Sequence, residues 1–235
     1  MSSRSLPPRV ALLMPALDEQ QALAQLLDEM PRQRYARLLV VDNGSTDGTA
    51  AAARAGGAEV ISEPRRGYGR ACQTGLAALG SDADIIVFMD ADGSDVPAEA
   101  ERLLEPILRG HADLVIGSRA LGRAEPGSMT WPQRWGNRFS VALIRLLFGH
   151  RYTDLGPFRA IRRESLERLG MRDTNFGWTA EMQVKAVKRG LRVQEVPVSY
   201  RRRVGRSKIS GTASGVARAG TKIIWTIVKL RLTNS

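Results

Sequence analysis

The stretch IIVFMDADGSD, residues 85–95, is the most informative segment of the sequence. It begins as a run of strand-forming apolar residues and ends on two carboxylates one residue apart, Asp90 and Asp92. Open α/β sheets bind ligands beyond the carboxyl ends of their strands, and paired carboxylates there hold a hard divalent cation with positions left for phosphate. The stretch therefore predicts a buried strand followed by a metal site at Asp90 and Asp92, with Mg²⁺ or Mn²⁺ as the ion. The alternative is an Asp-rich turn that binds nothing.

Strand-like and helical patterns alternate on both sides of this stretch. Apolar runs predict strands at 10–14, 38–41, 59–61, 85–89 and 114–116, and helical spacing predicts helices at 18–30, 47–55, 70–79 and 97–109. This alternation is typical of a Rossmann-like α/β fold, a mostly parallel sheet with helices on both faces. The second half is less regular, with helices expected near 137–148, 164–169 and 179–189 and strands at 158–161 and 193–198, appended to the same sheet.

Composition limits the class of protein. The chain has 235 residues and no linker-like stretch, which predicts a single domain over residues 1–210 followed by a carboxyl-terminal helix over 211–235. A single cysteine, Cys72, with only His111 and His150 beside it, excludes an internal disulfide framework and a Cys/His metal cluster. With no signal-peptide pattern or long uncharged apolar run, a cytoplasmic location is expected. The net charge of +11 calls for an anionic partner or surface.

Three loop segments follow the first three predicted strands and should meet at one edge of the sheet: residues 15–19, 42–49 and 63–70. Asp42, at the end of the second strand, suits recognition of the imide N–H of uracil or the corresponding edge of guanine. In the third loop, glycines allow the backbone to approach a phosphate that Arg66 and Arg70 neutralise. An ordinary basic surface loop is the alternative for this third segment.

Three classes of protein share some of these features but lack others that they require. A nucleic-acid-binding domain would explain the charge, but there is no recognition motif and few aromatics lie among the basic residues, so no nucleic-acid partner is expected. A dinucleotide oxidoreductase would need Gly-x-Gly-x-x-Gly after the first strand, where the chain has Pro15-Ala16-Leu17. A nucleotidyltransferase would need a glycine- and Arg/Lys-rich loop at the same place.

Together, these motifs resemble family 2 glycosyltransferases with the GT-A fold, most closely the dolichyl-phosphate mannose and glucose synthase-like branch. The resemblance runs from residue 10 to about residue 210, and its order and spacing are far more specific than any single motif. The motifs are PALDE (15–19), VVDNGSTDGT (40–49), RRGYGRA (65–71), DADG (90–93), GSR (117–119), TDLGPFRAIRRE (153–164) and RRRVGRSK (201–208).

The resemblance implies transfer of a hexose from a nucleotide-sugar donor, with inversion at the anomeric carbon. The residues that match nucleoside contacts are Pro15, Leu17, Glu19, Val40 and Asp42. Asp90 and Ala91 match residues that line the nucleotide, and Asp92 matches the metal-bridging carboxylate. Arg119, Arg202 and Lys208 match basic residues near the donor phosphates and the acceptor, and the expected acceptor site comprises Arg119, Arg134, Ser207 and Lys208.

The expected mechanism follows from charge. A metal on Asp92, with Arg202 and Lys208, would stabilise the diphosphate leaving group as its negative charge develops. A polyprenyl phosphate acceptor is already anionic and needs no general base. A hydroxyl acceptor needs one, and the candidates are Glu181 first and Asp154 second; the alternative for Glu181 is a favourable charge in the first turn of a helix.

Two departures from the resembled pattern affect the substrates. Ser94 stands where the mannose synthases have a glutamine near the metal, which weakens the case for GDP-mannose and leaves UDP-glucose as the favoured donor. The sequence from Asp154 to Arg159, DLGPFR, replaces a small-residue SGFR-type segment in the expected acceptor region. The acceptor is therefore the less constrained of the two substrates.

The carboxyl-terminal segment has the pattern of an amphipathic helix, with Arg218, Lys222 and Lys229 on one stripe and apolar residues opposite. Such a helix can lie on anionic lipid, which predicts possible peripheral attachment to the membrane. It can equally pack on the domain or on a second subunit as part of a homo-oligomer. The helix predicted at 137–148, with Arg138 and Arg145, has the same two interpretations.

Overall fold

The structure is a computed structural model that describes residues 7–205 and 213–233. Its centre is a seven-stranded sheet in the order β3-β2-β1-β4-β6-β5-β7. The strands are β1 (Val10–Ala16), β2 (Arg37–Asp42), β3 (Glu59–Ser62), β4 (Ile85–Phe88), β5 (Leu114–Ser118), β6 (Arg159–Arg162) and β7 (Val193–Pro197). All neighbours pair in parallel except β6, which lies antiparallel between β4 and β5. The predicted mostly parallel sheet is confirmed, and the strand expected at 158–161 lies inside the sheet.

Eight α-helices surround the sheet within the described residues. They are α1 (Gln20–Asp28), α2 (Thr49–Ala55), α3 (Tyr68–Leu79), α4 (Ala100–Leu108), α5 (Trp131–Phe148), α6 (Arg163–Leu169), α7 (Trp178–Lys188) and α8 (Ala213–Leu232). Short 3-10 turns occupy Arg32–Arg34 and Pro97–Glu99. None of the helices in this part of the chain is both long and apolar enough to cross a bilayer.

The alternation of side chains along the central strands creates two hydrophobic cores. On β1, Ala11 and Leu13 face a core shared with α3, α5, α6, α7 and α8, whereas Leu12 and Met14 face a core shared with α1, α2 and α4. Both sets are completely buried. Helices therefore cover both faces of the sheet, as predicted, and α8 is part of one core through Ile227 and Leu230.

Helix α5 begins six residues earlier than its pattern predicts, at Trp131 instead of Asn137. The side chains of Thr130 and Gln133 form a reciprocal capping box at its amino terminus, and Pro132 occupies the first turn. These local signals start the helix although the first two turns bury little apolar surface. Trp131 and Trp135 are 71% and 53% exposed.

Candidate active site

A cavity of about 540 Å³ opens where β1 and β4 end side by side. The chain leaves β1 toward β2 and β3 on one side and returns to β4 on the other, so this is the switch point of the sheet, where open α/β folds bind ligands. Its lining residues are Pro15, Ala16, Leu17, Glu19, Asn43, Arg66, Gly67, Tyr68, Asp90, Ala91, Asp92, Asn175, Phe176, Arg203, Arg218 and Lys222. The predicted loops after β1, β3 and β4 meet here.

The DADG segment turns sharply at the end of β4. Gly93 has a φ of +75°, and the resulting turn brings Ser94 back so that its amide and hydroxyl both donate to Asp92 Oδ1, at 3.0 and 2.6 Å. Ser94 is completely buried and thereby fixes the orientation of the Asp92 carboxylate. Asp92 Oδ2 remains directed at the cavity, 3.4 Å from a guanidinium nitrogen of Arg203.

Two carboxyl groups near Asp92, those of Asp90 and Asp95, have raised pKa values. Burial, together with the charge of Asp92, raises the pKa of Asp90 to about 7, against the opposing effect of a hydrogen bond from Tyr68. Burial raises the pKa of Asp95 well above its usual range, with Asp90 and Asp92 adding to the shift. Among the described residues, Asp90 Oδ1 and Asp95 Oδ1 have no hydrogen-bond partner. Close carboxylates with unsatisfied oxygens fit a site that receives a cation.

The residues that could hold a divalent metal at the end of β4 are Asp90 and Asp92. No set of three His, Cys, Asp or Glu residues capable of holding a metal occurs in residues 7–205 and 213–233. Two carboxylates leave most of the six or more oxygen positions of such an ion to ligand oxygens. The residues fit a metal that binds together with a phosphorylated substrate.

Arg203, not Arg202, reaches into the cavity. Arg203 forms ion pairs with Glu19 and Asp92, which lie in the loops after β1 and β4 respectively. Arg202 points the other way, with its Nε donating to Pro126 O at 2.7 Å and its amide to Glu125 at 2.9 Å. The structure therefore brings Arg203 to the cavity in place of the predicted Arg202. The segment is held by Tyr200, which bridges to Asp95 and Ala124.

The expected nucleoside contacts are only partly brought together. Pro15, Leu17 and Glu19 line the cavity, whereas Val40 is completely buried inside β2 and has no access to it. Asp42 lies at the end of β2 and accepts the Ser45 amide at 3.0 Å, with the next residue, Asn43, lining the cavity in its place. The structure thus corrects Val40 to a core residue and adds Asn43 to the site.

Asn43 shapes the loop between β3 and α3. It is buried, and its side-chain amide donates to Glu63 O and Arg65 O at 3.0 and 2.9 Å, while its Oδ1 accepts the Gly67 amide at 2.8 Å. Three hydrogen bonds from one side chain fix the backbone that carries Arg66 to the cavity wall. Sequence reasoning missed this role because Asn43 has the same residue type as many solvent-exposed turn residues.

The glycines of this loop have a different purpose from the one predicted. A Cβ on Gly67 would lie 2.3 Å from Thr174 O, and one on Gly69 would lie 2.1 Å from Asp173 O. The glycines therefore let the loop pack against the turn at 173–177, and the Arg70 amide donates to Thr174 O at 3.0 Å. Arg66 lines the cavity, but Arg70 does not.

Glu181 is a structural residue rather than a base. Its carboxylate accepts the amides of Arg172 and Asp173 at 2.7 to 3.1 Å and forms a buried 2.7 Å ion pair with Lys185. It is 4% exposed and does not line the cavity. The predicted catalytic role is corrected because both carboxylate oxygens are already engaged in holding the turn before α7.

Asp154, the second candidate base, is bound to Arg119. Arg119 donates from its backbone amide and Nε to Asp154 Oδ2, both at 2.8 Å, and from Nη2 to Asp154 Oδ1 at 2.6 Å. Burial lowers the pKa of Arg119, but Asp154 more than offsets this and the pKa is raised. Asp154 is 1% exposed, so the pair is a buried brace beside Tyr200 and not an acid–base group.

The DLGPFR segment, residues 154–159, carries Asp154 and is held in place by Arg159. Arg159 on β6 is 1% exposed; it donates to Thr179 O at 3.2 Å, which ties the segment to α7, and to Gly156 O within the segment. Burial lowers its pKa to about 10. In the described structure the motif therefore acts as scaffolding under Arg119.

The remaining acceptor candidates are distributed differently. Arg134 is exposed on α5 and outside the cavity, and Arg119 is also not a lining residue. Ser207 and Lys208 lie outside the described residues. The cavity does contain Arg218 and Lys222 of α8, two cations of the stripe for which the sequence predicts either lipid contact or exposure to solvent.

Comparison with known proteins agrees with this geometry. The sequence matches the glycosyl transferase family 2 model over residues 11–170. It is 33% identical over 225 residues to a dolichyl-phosphate hexose transferase of Haloferax volcanii, covering 95% of this chain and 96% of the relative. It is also 33% identical over 248 residues to an undecaprenyl-phosphate mannosyltransferase of Micrococcus luteus, covering 95% and 99%.

A solved structure shares the fold. Glucosyl-3-phosphoglycerate synthase from Mycobacterium tuberculosis, crystallised with Mn²⁺, UDP and glucosyl-3-phosphoglycerate, superposes with a TM-score of 0.79 at 23% identity, covering 97% of this chain and 81% of that one. On the match over most of the sequence and on the shared fold, the chain belongs to glycosyl transferase family 2 and is a glycosyltransferase with the GT-A fold.

Proposed function

We propose that the protein transfers a hexose from a nucleotide sugar, UDP-glucose in the favoured case, to a polyprenyl phosphate, with inversion and with Mg²⁺ or Mn²⁺ bound. The observation that carries this proposal is that some acidic residues of the site region have oxygens open to a ligand while others are fully paired. Asp90 and Asp92 face the cavity with oxygens available to a cation, whereas the two candidate bases, Glu181 and Asp154, are engaged in buried ion pairs.

The donor half of the proposal rests on the cavity. Pro15 and Leu17 offer apolar contact to a nucleoside, while Arg66 and Arg203 can bind and orient a diphosphate. When bound to Asp90 and Asp92, a divalent metal supplies Lewis-acid stabilisation of the leaving diphosphate. Arg203 adds a preorganised guanidinium at the same place, which lowers the barrier most as negative charge develops.

The acceptor half rests on the engaged bases and on the relatives. A phosphate acceptor is ionised at neutral pH and attacks without giving up a proton, so it needs neither of the candidate bases, both of which are engaged in ion pairs. Relatives that align over 95% of this chain are named for dolichyl-phosphate and undecaprenyl-phosphate. The Micrococcus luteus relative is a mannosyltransferase, which keeps GDP-mannose as the second candidate donor.

Attachment to a membrane surface would present such an acceptor. Helix α5 exposes an aromatic stripe made by Trp131, Trp135 and Phe139, of which Phe139 is 54% exposed. Arg134 and Arg138 are exposed beside this stripe. Aromatic side chains flanked by cations are the pattern of a helix that lies in an anionic lipid interface. Asn137 of α5 is hydrogen bonded to Thr153 and Leu155, so the helix that carries the stripe packs beside the segment that contains Asp154.

The test is a transfer assay with purified protein, Mn²⁺ or Mg²⁺, UDP-glucose or GDP-mannose, and either farnesyl phosphate or farnesol as a short acceptor. We expect product only with the phosphate acceptor and only with metal, and none from Asp92→Ala. Equal transfer to farnesol, or full activity in excess chelator, would contradict the acceptor or the metal respectively.

Membrane attachment is measured separately by sedimentation with vesicles that contain anionic lipid. Replacing Trp131 and Trp135 with Ser should reduce binding, whereas Lys229→Gln on α8 serves as the control. If the Trp variant sediments as the wild type does, the α5 face has another partner, and a second copy of the chain is then checked by light scattering.

A further inference from the structure

Helix α8 contributes to the substrate cavity, which its sequence pattern does not predict. Arg218 and Lys222 lie one turn apart on α8 and both line the cavity, together with Arg66 from the loop before α3. Lys229 belongs to the same basic stripe but lies at the far end of the helix, exposed and away from the cavity. The stripe is therefore divided into a part that faces the site and a part that faces solvent.

A specific set of contacts holds the helix in this position. Lys222 Nζ lies 2.8 Å from Asp173 Oδ2, and Thr226 also donates to that oxygen at 3.4 Å. The other oxygen of Asp173 accepts the amides of Asn175 and Gly177 at 2.8 and 3.1 Å. Asn175 and the following Phe176 line the cavity, so α8 is fastened to the turn that forms one of its walls.

The packing at this joint leaves little room. A Cβ on Gly177 would lie 2.3 Å from Thr226 Oγ1 and 2.5 Å from Asp173 Oδ2. The same turn packs on Gly67 and Gly69 of the loop that carries Arg66. Arg66, the 173–177 turn and the first half of α8 therefore form one continuous wall.

The charges of the two walls are opposite. Among the lining residues, the carboxylates are Glu19, Asp90 and Asp92, which lie on the side of β1 and β4. The cations on the facing wall are Arg66, Arg218 and Lys222. Arg203 is already paired with Glu19 and Asp92 across the first side. The facing wall is thus lined by basic side chains, of which Lys222 is paired with Asp173.

We propose that Arg218 and Lys222 bind a phosphate group of a substrate in the cavity, so that α8 is a functional wall of the active site. Lys222 keeps 40% of its side chain exposed while paired with Asp173, so it can donate to a ligand without leaving the pair. The donor diphosphate is the favoured source of the phosphate, because the same cavity holds the nucleoside contacts. The acceptor phosphate is the other source. This inference rests on the proposed donor site.

The experiment measures the Kd of UDP and, separately, of farnesyl phosphate by calorimetry in Mn²⁺, with no turnover required. Arg218→Gln and Lys222→Gln are each expected to weaken binding of one of these ligands by about tenfold or more, the size that follows from losing a hydrogen bond between charged groups. Lys229→Gln, on the same stripe, should leave both Kd values unchanged. Lys222→Arg should restore most of the affinity.

The outcomes separate the two proposals. A loss for UDP assigns the wall to the donor, and a loss for farnesyl phosphate alone assigns it to the acceptor. Unchanged Kd values for both ligands, with a lower melting temperature for Lys222→Gln, would mean that Lys222 only braces Asp173 and would overturn the inference while the donor site stands. Wild-type protein that binds no nucleoside diphosphate would overturn both.

A second readout uses wild-type protein alone. Hydrogen exchange of the α8 amides in wild-type protein should slow when UDP and Mn²⁺, or farnesyl phosphate, are added, since a ligand that bridges the walls limits local opening. Exchange on α8 that is unchanged with saturating amounts of either ligand would count against the proposal.

Discussion

The guanidinium of Arg203 lies 3.4 Å from Asp92 Oδ2 and pairs at the same time with Glu19, so a single side chain joins the loops that follow β4 and β1. It contacts the one oxygen of Asp92 that Ser94 does not occupy. A metal and a diphosphate that enter the cavity would exchange these contacts, with the metal on Asp92 and the phosphate on Arg203. Arg203 is therefore placed to balance the carboxylates before the substrate binds and the leaving group afterwards.

Adjacent arginines should consequently differ in effect. Arg203→Ala is expected to lower kcat by roughly 10² to 10³, which corresponds to about 2.7–4 kcal/mol for loss of one preorganised donor. Arg202→Ala is the matched control, because Arg202 is directed at Glu125 and Pro126, and it should retain kcat within a few-fold. The measurement is steady-state transfer by both variants. A larger loss in Arg202→Ala than in Arg203→Ala would contradict the assignment.

This pair also shows where sequence reasoning reaches its limit. The motif at 201–208 predicts that a cation from this segment enters the site, but the residue that does so depends on the β-bridges that Tyr200 makes with Asp95 and Ala124. Ala124 and Asp95 lie 76 and 105 positions before Tyr200 in the chain. A shift of one residue would point Arg202 inward instead.

Local signals, by contrast, were sufficient for most of the fold. Apolar runs located every strand of the sheet, and the DADG turn located the carboxylates, because both depend on neighbours within a few residues. The sequence does not reveal the role of Glu181, because its partners, the amides of Arg172 and Asp173, come from a turn that folds back on the helix. Periodicity alone cannot distinguish such an anchored carboxylate from a free one.

Glu181→Gln tests that correction. Loss of the negative charge leaves Lys185 buried without a counterion, so the free energy of unfolding should fall by about 3–5 kcal/mol. The kcat of the folded fraction at low temperature should stay within a few-fold of wild type. Adding Lys185→Met to Glu181→Gln should recover part of the stability. A fall in kcat of a hundredfold or more, with normal stability, would restore Glu181 as a base.

Asp90 should make the metal-free protein sensitive to pH. Its pKa in the folded protein is about 7, above the usual value near 3.9 for an unfolded chain, so the folded state binds the proton more tightly. The stabilising contribution is complete below about pH 4 and is lost as the pH rises through about 7. Denaturant midpoints in excess chelator should therefore fall between pH 5 and pH 8.

The control separates Asp90 from Asp95, whose raised pKa acts in the same direction. Asp90→Asn should have a flatter profile than wild type and should differ most from it at pH 8. Adding Mn²⁺ at pH 8 should stabilise wild type and have little effect on Asp90→Asn. Parallel pH profiles for the two proteins would show that Asp90 is already ionised in the folded state.

Two helical glycines give opposite expectations for the same substitution. A Cβ on Gly69, in the first turn of α3, would lie 2.1 Å from the backbone oxygen of Asp173, so Gly69→Ala must displace either the loop that carries Arg66 or the 173–177 turn. Overpacking of this kind costs about 1–3 kcal/mol. Because both displaced segments line the cavity, the affinity for UDP should fall together with the stability.

Gly136→Ala, within α5, has no atom within 4 Å of the added Cβ, and it should raise stability by about 0.5–1 kcal/mol without changing the affinity. Thermal melts and calorimetric titration of the two variants measure both quantities, and a Gly69→Ala protein with wild-type UDP affinity would show that the glycine contact is unrelated to the shape of the site.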